Sequence, residues 1–192
     1  MSERRILVLY GTRHGQTARI ARHMAEQLRA HGHHVRLTDG EAIPDRLEPR
    51  SWDAVIVGAS VIAGEHSRRV RHFVQRNAAT LNGIPSAFFS VSASAASPHE
   101  RGRADARRYV REFLDDTGWH PALAEPVAGA IAYTRYDPFT RWMMRRLCAE
   151  HDGPTDTTRD HEMTDWSQVQ RFVEQFAGLM AHAEEAPQPA VA

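Results

Sequence analysis

Five short apolar runs separated by helical patterns constrain this chain more than any other feature. Residues 6–10 (ILVLY) and 54–58 (AVIVG) are continuous and apolar, as strands buried on both faces are. Residues 85–92 and 127–133 read the same way, and Val35 and Leu37 mark a shorter strand. Between them lie amphipathic helices. Residues 16–31 repeat Ile20, Met24 and Leu28 at every fourth position, with Gly32 as a stop. Val70, Phe73, Val74 and Leu81 define a second helix. Tyr109, Val110, Phe113 and Leu114 define the inward face of a third, with Arg107, Arg108 and Arg111 on its solvated side. Ser97-Pro98-His99-Glu100 carries a start signal for it: a capping serine, a first-turn proline and a glutamate three residues on. The last helix starts near Thr164-Asp165 and presents Val169, Phe172, Val173, Phe176 and Leu179. Residues 41–51 contain two prolines and are expected to be irregular, and 184–192 a frayed tail. Strands alternating with helices call for an α/β fold, a doubly wound parallel sheet covered on both faces.

The first strand ends in Gly11-Thr12-Arg13-His14-Gly15-Gln16-Thr17, and a helix begins at once. Free N–H groups at a helix start, together with the helix dipole, favour an anion there. The dinucleotide fingerprint G-x-G-x-x-G is absent. The chain has no lysine, so a P-loop lysine is excluded. Thr12 to Thr17 resembles the phosphate loop of flavodoxins, which holds the monophosphate of FMN. Two more loops leave the same sheet edge: Ala59-Ser60-Val61-Ile62-Ala63-Gly64, and the stretch beginning Ser90-Val91-Ser92-Ala93. In flavodoxin-like proteins these hold two sides of the isoalloxazine. The flavodoxin-like strand order places a mononucleotide at the switch point between the first and third strands.

About thirty residues separate the fifth strand from the last helix, far more than such a connection needs. This insertion, about 134–163, carries Asp137-Pro138 as a helix start, then Phe139, Trp142, Met143, Met144 and Leu147 on one arc. Arg141 and Arg145 are expected to face away, and Arg146 to border the apolar side. Such a helix either packs on the domain with arginines reaching water, or rests on a membrane or contacts a lipophilic substrate. A short linker is expected to be able to replace the insertion without loss of the core.

Gly58-Ala59-Ser60, residues 85–91 (PSAFFSV), Ala128-Gly129-Ala130, Tyr133-Thr134-Arg135-Tyr136, Arg141-Trp142-Met143, Thr155-Asp156-Thr157 and Thr164-Asp165-Trp166 resemble the flavodoxin-like, menaquinone-dependent protoporphyrinogen oxidases. The resemblance covers nearly the whole chain. It implies FMN, protoporphyrinogen IX as electron donor, menaquinone or another quinone as acceptor, and a place in heme biosynthesis. Residues 61–63 depart from the pattern, with no aromatic or basic side chain. A flavodoxin-like electron carrier and an FMN-dependent NAD(P)H:quinone reductase are the alternatives. The residues do not identify a catalytic proton acceptor.

Arginine balances acid, 24 against 24, so wholesale nucleic-acid binding is not indicated. One cysteine, Cys148, allows no intrachain disulfide, and an amphipathic helix uses such a residue as a small buried side chain. The first strand begins within a few residues of the N-terminus, so no signal peptide is expected, and no run of about 20 apolar residues is present. A cytoplasmic protein is expected, consisting of one flavodoxin-like domain over 1–183. Peripheral membrane contact is expected through the helix from Asp137 to His151. His31, His33 and His34 cluster, but no cysteine or carboxylate frames them, so a solvated helix end is expected rather than a metal site.

Overall fold

The computed structural model describes residues 3–42, 46–48, 50–150 and 153–185. In chain order it forms β1 (Arg5–Gly11), α1 (Gln16–Ala30), β2 (His34–Asp39), β3 (Ala54–Ile62), β4 (Glu65–His66), α2 (Arg68–Asn82), β5 (Ser86–Ser92), α3 (Glu100–Thr117), β6 (Leu123–Ala128), β7 (Ala130–Ile131), α4 (Pro138–Glu150), β8 (His161–Glu162) and α5 (Trp166–Glu185). Five strands pair in parallel in the order β2-β1-β3-β5-β6. The expected α/β architecture is present.

Alternation along each strand sends successive side chains to opposite faces. Ile6, Val8, Ile56, Phe89 and Val127 meet Ile20, Met24 and Leu28 of α1 and Val169, Phe172 and Phe176 of α5. Leu7, Leu9, Val55, Val57 and Phe88 meet Val70, Phe73 and Val74 of α2 and Val110 and Phe113 of α3. Trp119, fully buried on this second face, donates its indole N–H to Ser86 Oγ at 3.0 Å. A third, smaller cluster belongs to the insertion: Ile131, Tyr133, Tyr136 and Cys148, with Met144 and Met163 against it.

Several boundaries differ from expectation. The fifth strand starts at Leu123 and ends at Ala128, not at 127–133. It is an edge strand, which tolerates the missing N–H of Pro126 and needs no continuous apolar run. Past Gly129 the chain leaves the main sheet, and β7 pairs antiparallel with β8 from the far end of the insertion. Tyr133 lies in a one-turn 3-10 helix, fully buried, its hydroxyl donating to the Pro154 carbonyl at 2.7 Å. Helix α3 begins at Glu100, so His99 takes the cap position meant for Ser97, and Ser97 Oγ accepts from the His99 N–H. In α5, Leu179 is exposed and Met180 is buried in its place. This helix runs through Glu185, where a tail was expected from 184. Residues 186–192, His151 and Asp152, and part of 41–51 lie outside the described residues.

His33 corrects a second expectation. It is buried, and neither ring nitrogen has a hydrogen-bond partner. Burial lowers its pKa, with His31 and Arg4 adding to the effect. His31 and His34 remain exposed. No group of three or more histidine, cysteine or acidic side chains able to hold a metal occurs among the described residues.

Candidate functional site at the strand ends

Sheet register puts Gly11 beside Ala59, Ala59 beside Ser90, and Ser90 beside Pro126. The segments leaving β1, β3 and β5 therefore emerge side by side at one edge. β1 connects outward through α1 and β3 through α2, so the crevice between them is the switch point of the sheet. At Gly58 the strand is packed to the limit, since a Cβ there would lie 2.0 Å from Phe89 Cζ.

The first loop is held by its own atoms. The Gly15 N–H donates to Thr12 Oγ1 at 3.0 Å. Gly15 sits in the left-handed region at φ 95°, which spares it the Cβ strain of other residues. No side chain caps α1, and its first turn holds no acid. The first helical bond runs from the Arg19 N–H to the Gly15 carbonyl, so the N–H groups of Gln16, Thr17 and Ala18 precede the ladder. Thr17 is buried, Arg13 is exposed, and His14 is half-buried. Burial, then Arg13 and Arg135, lower the His14 pKa and favour its neutral form. These donors, uncapped by the protein, fit a single phosphate. The Gln16 side chain is not among them: its amide donates to Thr164 Oγ1 at 2.8 Å and Glu162 Oε1 at 3.1 Å. Gln16 can offer an anion only its backbone N–H.

The second segment is mostly strand, not loop. Ala59 is buried, and Ser60, Val61 and Ile62 extend β3 half-buried. Val61 and Ile62 pair antiparallel with His66 and Glu65. β-Branched side chains favour this extended backbone. Ala63 at φ 51° and Gly64 at φ 84° make the exposed two-residue turn, whose geometry needs positive φ at both positions. In the third segment Ser90, Val91 and Ser92 are buried within β5, and exposed Ala93 opens a short 3-10 turn. Ser92 Oγ fixes that turn by accepting from the Ala95 N–H at 3.2 Å.

Four residues that the sequence did not assign to this site gather here. His66, on the unexpected β4, is buried and bonds Ser90 Oγ through Nε2 at 2.8 Å. Burial, with a contribution from Arg71, lowers its pKa to about 4, so the ring is neutral at pH 7. Tyr109 of α3 approaches the hairpin turn, its Cε1 3.9 Å from the Cβ position at Gly64. It brings an aromatic ring to a segment that has none of its own. From the insertion, Arg135 donates Nη1 to the His14 carbonyl at 2.7 Å, and the Tyr136 ring meets the His14 ring edge-on at 4.8 Å. No local motif signals these contacts, because their partners are distant in sequence.

Asp137 starts α4 as expected, accepting from the N–H groups of Phe139 and Thr140 at 3.1 Å each. The expected faces are not. Arg141 turns inward, donating to the carbonyls of Tyr133 at 3.0 Å and Tyr136 at 3.1 Å. Met144 and buried Cys148 complete the packed side. Phe139 (69% exposed), Trp142 (58%), Met143 and Leu147 face out. The helix therefore has both a docked face and an uncovered apolar arc. The insertion is also joined to the first loop: besides Arg135 and Gln16, Arg19 pairs with Glu162 at 2.6 Å. A shallow hollow of about 320 Å³, lined by Arg19, Arg22, His23, Glu26 and Trp166, belongs to the outer side of α1, not to the strand-end crevice.

Residues 7–158 match the flavodoxin domain family. The chain is 35% identical over 176 residues to a protein of Escherichia coli K12 named protoporphyrinogen IX dehydrogenase [quinone], covering 90% of this chain and 94% of that one. The chain belongs to the flavodoxin-like protoporphyrinogen IX dehydrogenase family. A family member of the same name from Leishmania major is 33% identical over 177 residues, which is 90% of this chain and 74% of that protein. Oxidised flavodoxin 1 of Bacillus cereus superposes with a TM-score of 0.54 at 16% identity, covering 93% of this chain and 98% of that one. That likeness concerns the fold. The identity to the dehydrogenases runs over nearly the whole chain, as the resemblance of the insertion motifs implied.

Proposed function

We propose that this chain is an FMN-dependent oxidoreductase that oxidises protoporphyrinogen IX to protoporphyrin IX and delivers the electrons to a quinone, menaquinone being the expected acceptor. The observation that carries this reading is 35% identity over 90% of the chain to a protein named for that reaction. The strand-end geometry supports a mononucleotide flavin. The Gln16, Thr17 and Ala18 N–H groups and the hydroxyls of Thr12 and Thr17 would hold its phosphate. Arg13, His14 and Gly15 shape that loop. Residues 59–64 and 90–93 would flank the ring, with Ser60, Val61, Ile62, Ala63 and Gly64 on one side and Ser90, Val91, Ser92 and Ala93 on the other.

Bound FMN supplies the electron acceptor, and the protein binds, orients and shields it. His66 is neutral and already bonded to Ser90, so it stiffens the wall of the crevice. The uncovered arc of Phe139, Trp142, Met143 and Leu147 would rest on the membrane that holds the quinone. No helix among the described residues is long and apolar enough to cross that membrane.

Purified protein should release FMN, not FAD, when denatured. Anaerobic steady-state assays should show porphyrin fluorescence rising only when a quinone is supplied. Release of FAD, or turnover unaffected by quinone, contradicts the proposal.

A further inference from the structure

Arg13 is the one arginine inside the first loop, and it is exposed. A second arginine reaches the loop from the insertion. Arg135 Nη1 is bonded to the His14 carbonyl at 2.7 Å and lies 2.9 Å from the Cβ position at Gly15. This holds the guanidinium against the residue that precedes the first turn of α1. Its support is firm: Asp160 Oδ1 accepts from the neighbouring Thr134 N–H at 2.9 Å and Oγ1 at 2.8 Å, and Tyr136 packs on His14.

A guanidinium has five N–H donors in a planar fork suited to phosphate. Among the described residues, the recorded bond of Arg135 uses one nitrogen, on a neutral carbonyl. Asp160 feels the Arg135 charge without forming a salt bridge to it. A cation with spare donors therefore stands beside helix N–H groups that no side chain caps, in a first turn with no acidic residue of its own. Its second environment would be an anion at that helix start.

We propose that Arg135 is a phosphate-binding residue supplied by the insertion. Its bond to His14 fixes the loop, and its remaining N–H groups take the flavin phosphate. This rests on reading Thr12 to Thr17 as the phosphate loop. It makes the insertion part of the cofactor site, contrary to the expectation that a linker could replace it.

Riboflavin separates the contributions, because it has the same ring and no phosphate. The full-length protein, stripped of flavin, is titrated with FMN and with riboflavin by fluorescence quenching. Circular dichroism first checks that each variant is folded. Arg135→Ala should weaken FMN binding about tenfold or more, as expected for a hydrogen bond to a charged group, and leave riboflavin affinity unchanged. Arg135→Lys should recover part of the loss, since it restores charge without the fork. Unchanged FMN affinity in Arg135→Ala overturns the proposal. So does an equal loss for both flavins, which would make Arg135 a support of the loop alone. Thr12→Ala/Thr17→Ala tests the underlying assignment. If that variant loses the preference for FMN over riboflavin while Arg135→Ala keeps it, the phosphate loop stands and the role of Arg135 falls. If wild-type protein shows no preference for FMN, both fall.

Discussion

The buried imidazole of His66 should make the fold sensitive to mild acid. Its pKa is 6.5 in the unfolded chain and about 4 in the folded one, chiefly because burial disfavours the charged ring. Between those values the unfolded chain binds more protons, so stability rises with pH. The contribution is fully present above pH 6.5 and is lost as pH falls toward and through about 4. The difference corresponds to roughly 3 kcal/mol in all, of which about 2 kcal/mol is gone at pH 5. His66→Gln removes the titration and keeps a donor for Ser90 Oγ. It gives up ring contact with Phe88 and Phe113, at centroid distances of 5.6 and 4.9 Å. The variant should therefore be less stable at pH 7.5, and its stability should depend less on pH. Urea unfolding from pH 7.5 to 4.5, at matched flavin content, measures both. His33 titrates in the same direction but is common to the two proteins and cancels. Between pH 7 and 5 the wild type should lose about 2 kcal/mol more than the variant. Equal losses would refute the assignment of a buried neutral ring.

Gly58→Ala should destabilise the fold by about 1–3 kcal/mol in urea, because the new methyl group meets the fully buried Phe89 ring; an unchanged midpoint contradicts that packing. Wild-type protein should float with anionic liposomes and do so less at high salt, since burying a large apolar side chain contributes about 1.5–3 kcal/mol and Arg145 adds charge attraction. Trp142→Glu/Met143→Glu, checked for flavin content and circular dichroism, should stay at the bottom of the gradient; equal flotation would take the membrane contact away from α4.

The core was legible because both faces of the central strands are covered. Ile6, Val8, Val55 and Val57 therefore form continuous apolar runs, and the helices that cover them show one clear stripe each. The edge strand β6 was placed late because half-burial leaves Glu125 and Pro126 in it, which break the apolar pattern. The β3–β4 hairpin was hidden because its turn uses Ala63 at positive φ, a residue that carries no turn signal. For α4, periodicity found the apolar arc but not the side on which it lies. Tyr133 and Tyr136 fill the insertion's small core from outside the helix, so Arg141 can turn inward to their carbonyls while Phe139 and Trp142 face out. At the candidate site, the three segments were legible as small-residue stretches after apolar strands. Arg135, His66 and Tyr109 were not, since each reaches the strand ends from a remote part of the sequence.

In the proposed reaction the strand-end crevice holds a flavin that takes electrons from a porphyrinogen. The direct test is anaerobic mixing of the flavin-loaded protein with protoporphyrinogen IX and, separately, with NADH or NADPH, followed by a menaquinone analogue. Protoporphyrinogen IX should bleach the flavin absorbance near its oxidised maximum, and the quinone should restore it. Flavin that stays oxidised with the porphyrinogen but is reduced by NADH or NADPH would contradict the claim and leave a nicotinamide-fed quinone reductase in its place.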